Sequence, residues 1–416
     1  MLETLIRTAA PEANVRPERL EVLDRFLRRL NEQDGYDFVS VYATRHGVPV
    51  YSGAYGIIAP GVKAADGTTS SGEKLTMDAI FPLQSITKPI IATLIAMLQE
   101  DGVIDFYERF NQYYPEFTGE KKDQVLLWHL LSHSSGMSGE AMDAHIMDYI
   151  RDKCGKGADD PISDEDYGKA LLMAREEFNL PKELSDDQAS DLAQQLVCLK
   201  APLAFDPGTA FNYCNYAYEL LKQLVERLTG EDIDTYATRV LFRPLGMHDT
   251  HFIVPEHKRA RIVKRAAHYQ GGQWLNGDWV ATSTSGAGGL KSTMPDMTRF
   301  GQMWLQEGTL DGVRILSPAS VRLMTRNHNA GLPDSMWGGR WLSSAWGLGW
   351  NVCYGKKDDL GFLRSLRTFD HAGAGGARLL IDPETGLVAS YYIVEKGEMT
   401  YDHQSRVANI LYSALD

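Results

Sequence analysis

The sequence predicts an α/β (α+β) fold: one sheet built from both ends of the chain, flanked by helices, with an all-helical domain inserted between them. Three observations predict it. Strand-like runs occur over 38–57 and again from about 262 to 394, whereas 105–260 holds helical patterns and no convincing strand. The stretch FPLQSITKPIIATLIAMLQEDG (81–102) has almost no polar face after its first turn, and a helix apolar all round is buried. The length, 416 residues, suits a large fold with an inserted module. The predicted boundaries are 1–104 with 262–416 for the sandwich domain and 105–261 for the inserted helical domain.

In order along the chain, 16–33 places Leu20, Leu23, Phe26, Leu27 and Leu30 at helical spacing. FVSVYATRHGVPVYSGAYGI (38–57) reads as two strands joined at Arg45-His46-Gly47. Residues 59–76 are loop, and 81–102 reads as one helix with Gly102 as its stop. Helical patterns then cover 124–132, 140–151, 164–178, 187–199 and 216–229, separated by acidic loops. Helices at 295–307 and 317–326 follow. Trp346–Cys353, Arg378–Ile381 and Leu387–Val394 read as strands, the last two joined by Asp382-Pro383-Glu384-Thr385-Gly386. Tyr401–Leu415 closes the chain as a helix, and no repeat period appears.

Chemistry concentrates at the root of the buried helix. Its polar residues are Gln84, Ser85, Thr87 and Lys88. Ser85 and Lys88 are three apart and share a face. A lysine at the root of a buried helix is expensive unless paired or used, and desolvation turns an ammonium toward a base. Aligned N–H groups at a helix start favour developing negative charge. A hydroxyl, a candidate base and an anion site thus coincide, which is what serine acyl transfer requires. The plainer reading of the same residues is a capping hydroxyl at Ser85 and a lysine snorkelling to the surface. A second S-x-x-K, Ser71 to Lys74, lies in a polar stretch with no apolar scaffold to desolvate its lysine.

Two further stretches carry candidate chemistry. In AFDPGTAFNYCNYAYELLKQLVERLTG (204–230), Tyr213 and Asn215 sit at the mouth of a helix. Asn215 reads as an N-cap and Tyr213 as a packing aromatic; the functional alternative is a phenol that relays a proton and an amide that holds substrate. In TFDHAGAGGARLLIDP (368–383), His371 precedes a glycine run and a strand whose edge could lend an N–H to an oxyanion. Trp337, Trp341 and Trp346 read as packing residues.

Other patterns fail. His129 and His133 are four apart, but Leu130 stands where a zinc protease needs glutamate, so a packed or loop-bracing pair is expected. No serine fits G-x-S-x-G. Arg378 and Lys291 each break a dinucleotide-binding glycine pattern, and Glu73 breaks a phosphate loop at Gly67–Gly72. Cys154, Cys198, Cys214 and Cys353 have no paired spacing, so free thiols are expected. The formal net charge of -13 and pI of about 5.4 argue against nucleic acid or an anionic membrane as partner. The N-terminal residues lack a leader pattern and no run reaches transmembrane length, so the expected location is cytoplasmic.

In order, Ser85-Ile-Thr-Lys88, Tyr213-Cys-Asn215 and His371-Ala-Gly373 resemble the motifs of the serine β-lactamase and penicillin-binding-protein superfamily. The look is that of class C β-lactamases, related D,D-peptidases and the esterases of that fold. LLWHLLSHSSGM (126–137), PLGMHDTHF (244–252), GAGGLKSTMPDMTRF (286–300) and WGLGW (346–350) are also similar, so the resemblance spans most of 75–395. It implies an antiparallel sheet in an α/β sandwich, an inserted helical domain, and an active site at their junction. Ser85 would be the acylated nucleophile and Lys88 would help take its proton. Tyr213 would act as base or shuttle, and the two would titrate as a coupled unit. Asn215 would contact substrate. The main-chain N–H groups of Ser85 and Ala374 would form the oxyanion hole beside Gly373. No cofactor and no metal is implied.

His371 departs from the lysine that many relatives carry in K-T-G, where it meets a substrate carboxylate. A histidine is charged only in part at neutral pH, which lowers the expectation of strong β-lactamase activity. The expected function is therefore a carboxylesterase for small acyl esters. The alternatives are a β-lactam hydrolase or D-amino-acid peptidase or amidase, and, more remotely, a non-catalytic binding protein. The expected partner is a small ester, amide or lactam.

Overall fold

Two hairpins from opposite ends of the chain build the sheet. The computed structural model describes residues 13–58, 72–183, 186–265, 275–334, 344–355, 360–394 and 402–416. Helix α1 (Pro17–Glu32) leads into β1 (Phe38–Arg45) and β2 (Val48–Gly56). The strands reverse at His46 and Gly47, whose φ of 49° and 84° suit the mirror-image turn that a right-twisted hairpin needs.

The stretch 81–102 is not one helix. It opens as a two-residue strand, β3 (Phe81–Pro82), passes through a 3₁₀ turn at Gln84–Ile86, and only then becomes α2 (Thr87–Glu100). Pro82 disfavours helical backbone at Phe81, and Gln84 has a φ of 50°, outside the right-handed region. Pro89 is accommodated because the first-turn N–H groups have no intrahelical acceptor. Gly102, at φ 71°, ends the helix as expected.

Helices α3 (Leu127–Leu131), α4 (Gly139–Cys154), α5 (Asp164–Glu177), α6 (Asp186–Leu199) and α7 (Asn215–Thr229) follow, close to the predicted spans. A short helix, α8 (Ile233–Ala237), runs into a π turn at Thr238–Phe242. After β4 (Lys291–Ser292) come α9 (Met294–Leu305), the small hairpin β5 (Thr309–Leu310) and β6 (Val313–Arg314), and α10 (Pro318–Met324). The chain ends with β7 (Asn351–Val352), β8 (Phe369–Gly373), β9 (Ala377–Asp382), β10 (Leu387–Ile393) and α11 (Asp402–Ser413).

The main sheet has six strands in the order β2-β1-β10-β9-β8-β7, every pair antiparallel. Every residue of β9 and β10 is buried, so both faces of the central sheet are covered. Helix α9 packs on β1, β9 and β10, and α1 packs on β1 and β2 beside α11. The approach of α9 is close: a β-carbon added at Gly301 would stand 2.5 Å from Val388 Cγ1. No helix among the described residues is long and apolar enough to cross a membrane.

One strand expectation needs correction. Only Asn351–Val352 of 346–353 is strand, because Gly349 (φ 88°) and the Gly347 N–H donating to Trp350 O at 2.8 Å fold the rest into a turn. His371 lies inside β8, and the glycine run leads on to β9 as expected.

Contacts divide the chain into two units. One comprises Met1–Val103, Tyr218–His328 and Ala345–Asp416 and holds the sheet; the other comprises Ile104–Ala217 and Asn329–Ser344. Residues 218–261, which the sequence groups with the helical insertion, thus fall with the sheet. There the Asp234 carboxylate accepts from Phe252 N at 2.8 Å and Ile253 N at 3.0 Å, and Leu245 O accepts from Arg299 Nε of α9 at 2.5 Å. Residues 329–344 fall with the helices: Pro333 O accepts from Phe211 N at 2.9 Å, and Asn329 Nδ2 donates to Ser132 O at 2.8 Å. An apolar period shows that a helix has a covered face, not what covers it.

Candidate active site

The route from β3 to α2 sets Ser85 and Lys88. Strand β3 pairs with β4, and Leu83 N donates to Leu290 O at 2.9 Å. Thr87 Oγ1 then ties the 3₁₀ turn to that neighbour: it donates to Gln84 O at 2.7 Å and accepts from Leu290 N at 3.0 Å. Lys88 follows in the first turn of α2 and is fully buried, 0% exposed. Its Nζ donates to Ser85 Oγ at 3.1 Å and to the main-chain oxygen of Ala287 at 2.9 Å. The ring of Tyr218 lies 5.8 Å from the same nitrogen. Ser85 itself is half-buried. Lys88 is therefore not a snorkelling surface lysine, and its desolvation is offset by directed bonds.

The carbonyl of Ala287 belongs to a tight loop, 283–291, that two side chains hold. Glu219 of α7 accepts from Gly286 N at 2.9 Å, from Ala287 N at 3.1 Å and from the Ser285 hydroxyl. Lys291 is buried, and its Nζ donates to Ser283 O at 2.9 Å, Gly289 O at 2.7 Å and Phe252 O. Burial lowers its pKa to about 7.

Strand β8 ends against the same turn. A β-carbon on Gly373 would stand 1.9 Å from Leu83 O, so only glycine fits. Ala374, exposed, opens the turn to β9. The two predicted oxyanion donors, Ser85 N and Ala374 N, thus belong to adjacent segments.

His371, also on β8, is 3% exposed, and its Nδ1 donates to Ala372 O at 2.8 Å. Its ring meets the edge of Trp346 at 5.6 Å between centroids. Burial, and next the neighbouring Lys88 charge, hold its pKa down to about 3. At neutral pH this histidine is uncharged. The nearby Arg378 is balanced by Asp370 at 2.8 Å, both 2% exposed, with Asn351 Nδ2 donating to Asp370 at 2.6 Å.

Tyr213 and Asn215 lie in the helical unit, Tyr213 half-buried and Asn215 exposed as the first residue of α7. His133 braces their segment. Its Nδ1 accepts from Cys214 N at 3.1 Å, its carbonyl from Asn212 N at 2.9 Å, and its ring lies 4.3 Å from that of Tyr213. His129 Nδ1 accepts from Leu126 N at 3.0 Å. The two histidines are loop braces, as expected. Ser71, Trp337 and Trp341 lie outside the described residues, and Lys74 is exposed. All four cysteines are free thiols.

Glu219, Ser285 and the Ala287 carbonyl went unread in the sequence. The glycine run at 286–289, within the stretch GAGGLKSTMPDMTRF that resembles the family, was the available signal.

Comparison with known proteins bears on the family and the fold. A sequence model of the family described as Beta-lactamase matches residues 23–411. Penicillin-binding protein 4 of Amycolatopsis lactamdurans is 28% identical over 333 residues, covering 77% of this chain and 73% of that protein. Esterase EstB of Burkholderia gladioli is 28% identical over 242 residues, covering 57% and 52%. Among solved structures, a family VIII carboxylesterase superposes with a TM-score of 0.69 at 18% identity, covering 95% of this chain and 98% of that one.

Proposed function

The chain belongs to the beta-lactamase family, a family of hydrolases, and on that premise we propose that it is a serine carboxylesterase for small acyl esters, working through an acyl-enzyme on Ser85. The observation that carries the proposal is a buried Lys88 amine 3.1 Å from the Ser85 hydroxyl. Ser85 Oγ attacks the ester carbonyl while its proton passes to the Lys88–Tyr213 pair. Ser85 N and Ala374 N stabilise the oxyanion. The alcohol leaves with the proton, and water, deprotonated by the same pair, releases the acid and restores Ser85. Tyr213 as shuttle and Asn215 as substrate contact rest on the Tyr213-Cys-Asn215 motif. The preference for esters rests on His371, which is uncharged at neutral pH. The motif then offers no cation to a substrate carboxylate, whereas a small neutral ester needs none.

The test compares kcat/KM for p-nitrophenyl acetate, a cephalosporin and a D-Ala-D-Ala peptide, with wild type and Ser85→Ala. The ester is expected to lead, and Ser85→Ala to abolish turnover while the fold persists. Preference for the cephalosporin or the peptide replaces the esterase assignment with that activity. Turnover by Ser85→Ala removes Ser85 from the mechanism, and a folded wild type that turns over none of the three and takes no acyl mass is a binding protein.

A further inference from the structure

We propose that Glu219 is a positioning residue for Lys88, acting through Ser285 and the peptide bond between Ala287 and Gly288. The inference rests on the Ser85–Lys88 reading above and extends it to a carboxylate outside the three motifs. The connection is a continuous series of hydrogen bonds. Lys88 Nζ donates to Ala287 O at 2.9 Å. The N–H of that same peptide unit, on Gly288, donates to Ser285 Oγ at 3.1 Å. The Ser285 hydroxyl donates to Glu219 Oε1.

Two more bonds lock the loop to the helix, from Gly286 N at 2.9 Å and Ala287 N at 3.1 Å to the same carboxylate. The contact is tight. A β-carbon at Gly286 would stand 2.4 Å from Tyr218 O and 2.5 Å from Lys222 Cβ. Glu219 therefore accepts three bonds, which an ionised carboxylate can do and an amide cannot.

Hydrogen bonds in series polarise one another. A carboxylate at one end makes the Ala287 oxygen a stronger acceptor at the other, aiming the amine at Ser85 and raising its affinity for a proton. His371, beside Lys88, is uncharged at neutral pH, and Arg378 is paired with Asp370. Lys222 on the Glu219 helix is paired with Glu226 at 2.9 Å. Lys291 braces the far end of the loop through main-chain oxygens.

The experiment measures the pH dependence of kcat and kcat/KM on p-nitrophenyl acetate for wild type, Glu219→Gln, Ser285→Ala and Ser285→Thr. Ser285→Ala keeps both main-chain bonds of Glu219, so it decides the question if Glu219→Gln fails to fold. The expected result is a fall in kcat of about tenfold, with KM within about twofold, in Glu219→Gln and Ser285→Ala. The acid limb of kcat/KM is also expected to move down by about half a pH unit, because a negative charge that favoured the protonated amine is lost or uncoupled. Ser285→Thr restores both. An unmoved acid limb in Ser285→Ala, or a Ser285→Thr variant as impaired as Ser285→Ala, overturns the proposal. A fluorophosphonate adduct mapped by mass in wild type separates the two layers. A label away from Ser85 sinks the active-site assignment itself, whereas a label on Ser85 with an unmoved limb sinks only the role of Glu219.

Discussion

Gly373 and Leu83 lie so close that a β-carbon on the glycine would stand 1.9 Å from the leucine's carbonyl oxygen. That contact presses the end of β8 onto the turn that presents Ser85, two residues further on. Gly373→Ala must therefore displace backbone rather than a side chain. It is expected to lower kcat/KM on a short ester by about 100-fold, since misplacement near 1 Å costs that much. Steady-state kinetics with a thermal melt checks it. Wild-type kcat/KM from the alanine variant would mean that this contact does not position the nucleophile.

Lys88→Met replaces a fully buried amine with an unbranched apolar chain of similar reach. Activity is expected to fall by about 10³-fold, within the range for loss of a general base. Stability is expected to change little, because an apolar side chain at such a site avoids the cost of burying the amine while leaving the Ala287 carbonyl unpaired. The check is chemical denaturation beside a kinetic assay. A folded variant with more than a tenth of wild-type activity contradicts the assigned role.

His371 makes stability depend on pH with a definite sign. Its folded pKa, about 3, lies below the ordinary histidine value of 6.5. Between those values the unfolded chain binds the proton and the folded chain does not, so the stabilisation is complete above about pH 6.5 and is lost as pH falls toward 3. His129, lowered to about 4 by burial, adds to the same trend. The slope is about 1.4 kcal/mol per pH unit for each histidine. Melting between pH 7 and 4.5 should show the decline, and His371→Gln should make it shallower by one histidine's share, with His129 still contributing. An equally steep profile in that variant would show that His371 is not a source.

The same residue offers a specificity test. His371→Lys puts an ammonium where the uncharged imidazole stands. The ratio of kcat/KM for a cephalosporin over p-nitrophenyl acetate is expected to rise about tenfold, the worth of one charge-assisted hydrogen bond. A ratio cancels general loss of active protein. An unchanged ratio would mean that charge at this position does not choose the substrate.

Much of this site is legible in residue types. Ser85 and Lys88 stand three apart at the start of an apolar run, and the 3₁₀ turn leading into α2 brings their side chains to 3.1 Å. Strand-like runs at 38–57 and 387–394 mark strands at both ends, and they meet as β1 and β10 of one sheet. The departures from the expected elements have local causes. A proline and a positive φ at Gln84 delayed the start of α2, and Gly349 broke a strand.

What the amino-acid order determined by itself was the menu of reactive groups and the strands and helices that carry them, because period, capping and breaker residues act over a few positions. What only the tertiary structure decided was the environment of those groups. The Lys88 partner is a main-chain oxygen 199 residues away, held by Glu219 through a glycine loop. His371 lost its charge because the packing around it excludes water. Backbone acceptors have no residue type, and desolvation depends on everything folded around a group, so neither is written in a motif.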